Sequence, residues 1–292
     1  MGYTLKYAVS HNSSITRFAF KVGLALSLMG IWVASSCPGQ AAELAEIQER
    51  GYLVVGVKDN LRPLGFRDEA GELKGLEIEL AYWLAGQLLG DPEAVVLQPI
   101  TNVERLPALL NDEVDLVIAR LTATVSRSRL VDFSLPYYLD GTALITRRGS
   151  IQTLTDLQSQ TIAVLEGSDT IAVVRSYLPT ARLVGAESYE QARQLLETNQ
   201  AFAFAADVSV LTGWVQEDPN YHLLPVLLST EALAVAMPRG LQYTELRQQV
   251  NQAVQQWQTE GTLAERVLYW GLPEEGVPSQ NLDLNEPEPS LF

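Results

Sequence analysis

The chain of 292 residues predicts an α/β fold with parallel sheets. Two observations predict it. Short apolar runs alternate with segments of 3.6-residue period from Leu53 onward. One of these runs, Val114 to Ala119, stops at the hydroxyls of Thr122 and Thr124, and Arg127 follows. That is how a buried strand delivers ligand-binding groups at its carboxyl end.

In order, Leu53 to Lys58 reads as a strand, and Asp59 to Arg67 as a loop with Pro63 and Gly65. Gly75 precedes a helix whose Leu76, Leu80, Ala81, Leu84 and Leu88 share one face. A strand at Ala94 to Leu97, a short helix at Arg105 to Leu110 and the Val114 to Ala119 strand follow. Beyond Tyr138, further strands are expected at Thr161 to Leu165 and Ala201 to Ala206, the latter ending at Asp207. Ser168 opens one helix between them, and Ala192 to Glu197 forms another. Tyr243, Leu246, Val250, Val254 and Trp257 then line one helix face, and Leu263, Val267 and Trp270 line the next. From Pro273 the residues turn to Pro, Glu and Ser, which predicts a loosely ordered tail over 273–292.

Residues 1–37 read as a secretory signal. Lys6, Arg17 and Lys21 precede the apolar run Val22 to Val33, and small residues lead to Cys37. A run of 12 residues falls short of the ~20 that span a bilayer. Cys37, the only cysteine, resembles the lipid-bearing lipobox cysteine of bacterial lipoproteins, with Ala34 where Leu is commoner; cleavage after Ala41 is the alternative. The exported domain is therefore expected without a disulfide, its stability coming from its core. Removal of residues 1–37 leaves 17 Lys and Arg against 35 Asp and Glu, a net charge near −18. Nucleic acid and anionic membrane surfaces are disfavoured as partners. Yet Lys58, Arg62, Arg105, Arg120 and Arg127 cluster at predicted strand ends, a locally basic cleft suited to a small anion.

An Arg fork beside hydroxyls suits a carboxylate, although a lone Arg is often only a surface ion pair. Gly167-Ser168-Asp169-Thr170 opens a helix, so Ser168 reads either as an N-cap or as part of an anion site at the helix start. Asp207 ends an apolar strand, where a carboxylate needs a cation or hydrogen bonds; a helix N-cap is the alternative. Lys58 reads as a ligand cation or a solvated strand end, and Arg105 as a ligand cation or a partner of Glu104 or Asp112.

Asp115-Leu-Val-Ile-Ala119, then Thr122-x-Thr124-x-x-Arg127, then Val131-Asp-Phe-Ser-x-Pro136-Tyr-Tyr138, resembles the solute-binding proteins of polar amino-acid ABC transporters. The resemblance extends over roughly 220 residues, from Gly51 to Trp270. It implies the two-lobed, type II periplasmic-binding-protein fold, a hinged clamp with ligand between the lobes. Lobe 1 would hold residues 46–138 and 235–272 and lobe 2 residues 139–234, with crossings near Tyr137 to Gly141 and Glu231 to Ala234. It also implies an extracytoplasmic monomer that captures an amino acid and delivers it to a membrane permease, without a cofactor.

By the same resemblance Arg127 takes the ligand's α-carboxylate, joined by Ser168, while Asp207 and Thr122 take the α-ammonium. Thr124 is expected to cap the turn that carries Arg127. Lys58 and Arg105 match the glutamate/aspartate-binding branch, where cations approach a distal carboxylate. The chain departs from the family at Arg120 and Asp169, which replace small residues, and at Asn102. Arg120 then either contacts the ligand or pairs with Asp169 across the cleft. A sensor or a dehydratase-like enzyme on the same fold is the competing reading. Against the enzyme, His222 is the one histidine after residue 37, and no Ser/His pair, metal cluster or phosphate loop is evident.

Overall fold

A computed structural model of the protein describes residues 43–278. The expected signal segment, Cys37 and the tail beyond Pro278 lie outside the described residues.

The chain opens with α1 (Leu44–Arg50) and β1 (Leu53–Val57), then a small ribbon of β2 (Asn60–Leu61), β3 (Gly65–Arg67) and β4 (Leu73–Lys74). It continues through α2 (Leu76–Leu89), β5 (Val95–Pro99), α3 (Arg105–Leu110), β6 (Leu116–Ile118) and β7 (Asp132–Asp140). A second set follows: β8 (Thr142–Thr146), β9 (Thr161–Leu165), α4 (Thr170–Tyr177), β10 (Arg182–Ala186), α5 (Tyr189–Glu197), β11 (Ala203–Asp207), α6 (Val208–Glu217) and β12 (His222–Leu223). The chain then returns by β13 (Glu231–Met237) to α7 (Thr244–Thr259) and α8 (Thr262–Tyr269).

These strands form two five-stranded sheets, ordered β5-β1-β6-β13-β7 and β10-β9-β11-β8-β12. The molecule is a two-lobed α/β clamp. The expectation of parallel sheets needs correction, because both sheets are mixed. β13 runs antiparallel to β6 and β7, and β8 antiparallel to β11. The cause lies in the connections. β7 leads into β8 through Gly141 alone, and β13 carries the chain back, so neither is fed by a crossover helix of the kind that makes strands parallel.

Both sheets are covered on two faces, and alternation along the strands assigns the layers. Leu116 and Ile118 enter the main core while Val117 joins Ile100, Ala108 and Val131 on the other side. In the second lobe Ala163 faces the main core and Ile162 and Val164 face the opposite one. α2 and α7 pack together, and Trp83 Nε1 donates to Ala253 O at 2.9 Å. The expected faces of α7 and α8 are the buried ones: Leu246, Val250, Val254 and Trp257, then Leu263 and Val267. Glycine is required before α2, where Gly75 has φ +128° and a Cβ would run into the Leu64 and Pro63 carbonyls.

Two differences from the sequence reading bear on the site. The stretch from Pro273 to Pro278 is packed rather than loose: Glu274–Gly276 forms a 3-10 turn, Gly276 lies against the Tyr138 ring, and Tyr138 Oη donates to Pro273 O at 3.4 Å. The second difference is at the crossing. β7 and β13 pair along it, Glu231 opposite Asp140 and Leu233 opposite Tyr138, with register shifts about Ala234.

Candidate functional site

Between the lobes lies an open cleft of about 700 Å³, lined from lobe 1 by Arg105, Arg120, Thr122 and Arg127 and from lobe 2 by Ser168, Asp169, Tyr189 and Asp207. Arg120, Thr122 and Arg127 follow β6, Ser168 and Asp169 follow β9, and Asp207 ends β11, while Arg105 opens α3 after β5 and Tyr189 opens α5 after β10; strand ends of open α/β sheets gather ligand groups in this way.

The β6 side is built on a kink. Beyond Ile118 the chain turns at Arg120, which takes a left-handed backbone (φ +47°). It then pairs alongside β13 through the Thr122–Leu233 bridge and the Ala123 N–H to Ala232 O bond at 2.9 Å. A bulky residue rarely holds this conformation unaided. Two contacts fix it: Arg120 N–H donates to Glu77 Oε1 at 2.6 Å, and Arg105 Nη1 donates to the Arg120 carbonyl at 2.6 Å. Thr122 Oγ1 donates to Glu231 Oε2 at 3.1 Å. Arg127 lies on a 3-10 turn, its N–H bonded to Thr124 Oγ1 at 3.3 Å and its Nη1 donating to Thr122 O at 2.9 Å. Thr124 thus caps that turn, as its position suggested.

Arg105 makes no ion pair with Glu104 or Asp112. Its Nε donates to Asn102 O at 3.1 Å and its Nη1 also reaches Ala119 O at 3.1 Å, while Glu104 accepts from Thr101. Burial, then the nearby Arg120 and Arg127 charges, push the Arg105 guanidinium down to about 10. Lys58 is 6% exposed rather than solvated, and its Nζ donates to Ile100 O at 3.1 Å. Burial and the Arg105 charge lower its pKa. It lines a neighbouring cavity of about 470 Å³ that shares Asn102, Arg120 and Tyr189 with the main cleft. Lys58 and Arg105 thus line adjoining cavities, and the Arg105 charge is felt at Lys58.

On the lobe 2 side Ser168 does not cap a helix. Its Oγ donates back to Leu165 O at 2.8 Å, and Asp169 is the residue preceding α4. Asp207 does occupy the N-cap position of α6, with an extended backbone, but its side chain makes no cap bond. Instead the Asp207 carboxylate forms an ion pair with Arg120 Nη1 across the cleft. The Arg120–Asp169 pair weighed from the sequence is replaced by this one.

Sequence reasoning missed three participants. Glu231, named only as part of a crossing, lines the cleft and accepts from Thr122 Oγ1. Tyr189, whose one signal was the Ser188 cap before α5, lines both cavities and packs edge-on to Phe204 with ring centroids 6.1 Å apart. Glu77, on α2, is fully buried; it accepts from Tyr137 Oη at 2.5 Å as well as from Arg120. Burial raises its pKa against the pull of those two donors.

A hinged two-lobe clamp with opposed cations and carboxylates at its strand ends defines a small-molecule receptor. The chain belongs to the bacterial extracellular solute-binding proteins, family 3, whose family pattern matches residues 53–273. It is 33% identical over 195 residues to a glutamine-binding protein of Geobacillus stearothermophilus, covering 66% of this chain and 74% of that one. It is 28% identical over 230 residues to the ABC transporter glutamine-binding protein GlnH of Bacillus subtilis (strain 168), covering 78% and 84%. Among solved structures, an ancestral cationic amino acid solute binding protein superposes with a TM-score of 0.65 at 28% identity, covering 78% of this chain and 98% of that one. The protein is thus an amino-acid solute-binding protein of the ABC-transporter type.

Proposed function

We propose that this solute-binding protein captures an amino acid with an acidic side chain, glutamate or aspartate, and hands it to a membrane permease without chemical turnover. The observation that carries the side-chain assignment is the crowding of cations. Arg105, Arg120 and Arg127 share one cleft with Lys58 close behind, and Arg105 is depressed to about 10 by burial and by its cationic neighbours. A bound anion relieves that repulsion, whereas a neutral amide leaves it in place. The glutamine named for two relatives is the rival ligand, and the same crowding argues against it here.

In this reading Arg127 and Ser168 receive the α-carboxylate, and Asp207 with Thr122 receives the α-ammonium. Arg105 reaches the distal carboxylate, with Lys58 supporting it from the neighbouring cavity and Asp169 closing over from lobe 2. Ligand bound from both sides favours the closed clamp. The lobes are residues 46–138 with 235–272, and 139–234. The protein works outside the cytoplasm as a monomer, held to the membrane through Cys37. A calorimetric panel on the purified protein tests the ligand: glutamate or aspartate should bind at least fivefold more tightly than glutamine, asparagine or arginine. Tightest binding of glutamine would overturn the acidic assignment and leave amino-acid binding intact.

A further inference from the structure

We propose that Arg120 is an internal competitor for the ligand's ammonium at Asp207, and that this competition makes Arg120 a specificity-determining residue. The proposal rests on the reading above in one respect, that Asp207 is where the ammonium binds.

Arg120 is delivered to that position by its own backbone. Its N–H is held by Glu77 Oε1 at 2.6 Å and its carbonyl by Arg105 Nη1 at 2.6 Å, and the left-handed turn between them is fixed on both sides. Glu77 is fully buried and bonded to Tyr137, so the anchor belongs to the lobe 1 core. From this turn the guanidinium crosses to the end of β11 in lobe 2 and pairs with Asp207. Both side chains are partly buried, 20% and 21% exposed, so water only partly screens the pair. Asp207 offers no bond to its own helix and, among the described residues, Arg120 is its ion-pair partner.

A carboxylate occupied in this way accepts an ammonium only if the guanidinium leaves or shares it. The displaced guanidinium then stands among Arg105, Arg127 and Lys58, where burial, and after it the neighbouring positive charges, already depress Arg105. A ligand with a distal carboxylate supplies a new anion for Arg120 and so compensates the broken pair. Glutamine supplies none. The discrimination thus arises from an exchange of partners, a penalty on the wrong ligand as well as an attraction for the right one.

The test compares the parent with Arg120→Gly, which suits the left-handed turn, and Arg120→Met, which keeps the apolar stem. Binding of glutamine, glutamate and glutarate (glutamate without its ammonium) is measured by calorimetry. With the competitor removed, both variants should bind glutamine about tenfold more tightly than the parent. The glutamate-to-glutarate affinity ratio should widen by a similar factor, because Asp207 is now free for the ammonium. Glutamine binding unchanged, weakened or absent in both variants overturns the competition. A parent that prefers glutamine over glutamate defeats the acidic reading alone, since the glutamine gain in the variants still decides the role of Arg120.

Discussion

Glu77 Oε1 accepts the backbone N–H of Arg120 at 2.6 Å, so a carboxylate with no exposed surface sets the turn from which the cleft's central guanidinium projects. Its second oxygen is buried with no hydrogen-bond partner, while the first carries both Arg120 and Tyr137. The lobe 1 core and the binding cleft are joined through this one side chain.

Stability should therefore depend on pH through Glu77. Burial raises it above the ordinary carboxyl value of 4.5. The unfolded chain gives up this proton at a lower pH than the folded protein, so the folded state loses stability as pH rises from the ordinary carboxyl range through the raised value. Glu77→Gln retains an acceptor for Arg120 and removes the titration. Urea midpoints of parent and variant, followed from acid to neutral pH, should diverge in favour of the variant as pH rises. A constant offset at every pH would show that Glu77 does not titrate in this way.

The crossing between lobes should tolerate little bulk. Gly141 joins β7 to β8 at φ +156°, and a Cβ there would collide with the Ser229 carbonyl. Beside it, the buried Asp140 accepts from Gly141 N–H at 3.0 Å, Ser209 N–H at 3.1 Å and Ser209 Oγ at 2.6 Å, tying the crossing to the start of α6. Gly141→Ala should cost ~1–3 kcal/mol of stability, the scale of a strained backbone position. Saturating ligand should also reduce the parent's radius of gyration in solution scattering, through motion about these strands. An unchanged radius would leave the hinge without support.

Arg127→Ala should weaken glutamate and glutamine alike, because the contact it removes is to the shared α-carboxylate. Hydrogen bonds to charged groups contribute ~1.5–3 kcal/mol, so about 10- to 150-fold is expected for each ligand. The same substitution frees the Thr122 carbonyl, which Arg127 Nη1 holds at 2.9 Å, but Thr122 lines the cleft and is not part of the apolar core. The urea midpoint should move little. A loss confined to one ligand would mean that Arg127 reads the side chain.

Much of this fold was legible locally. The helix Arg105–Leu110 and the strand Thr161–Leu165 begin and end where the pattern placed them, and α7 buries its expected face. The crossing strands were not, because Pro136 and the polar ends Asp132, Asp140 and Glu231 break the alternation that marks a strand. Glu77 was passed over for a related reason: it sits between Leu76 and Ile78 on a mainly apolar helix, and only its hydrogen bonds explain its burial. The strand-end residues Arg127 and Asp207 could be singled out from sequence. Which cation meets Asp207 could not, since the partner is chosen by how two lobes face each other, and no local period encodes that.

Arg105 and Lys58 should differ in their effect on ligand choice. Arg105 lines the main cleft, whereas Lys58 lines the adjoining cavity and spends a hydrogen bond on Ile100 O. Arg105→Met should lower the preference for glutamate over glutamine by about 10- to 150-fold, the loss of one charge-assisted contact of ~1.5–3 kcal/mol. Arg105 also steadies the Ala119 and Arg120 carbonyls, so Arg105→Lys serves as the control. A lysine keeps the charge but not the fork, and should retain part of the preference. Lys58→Met should reduce the preference less than Arg105→Met, and the double variant should keep only the part of the preference that Arg120 supplies. Each ratio comes from paired calorimetric titrations with glutamate and glutamine. A larger effect from Lys58→Met than from Arg105→Met would place the distal carboxylate in the neighbouring cavity instead.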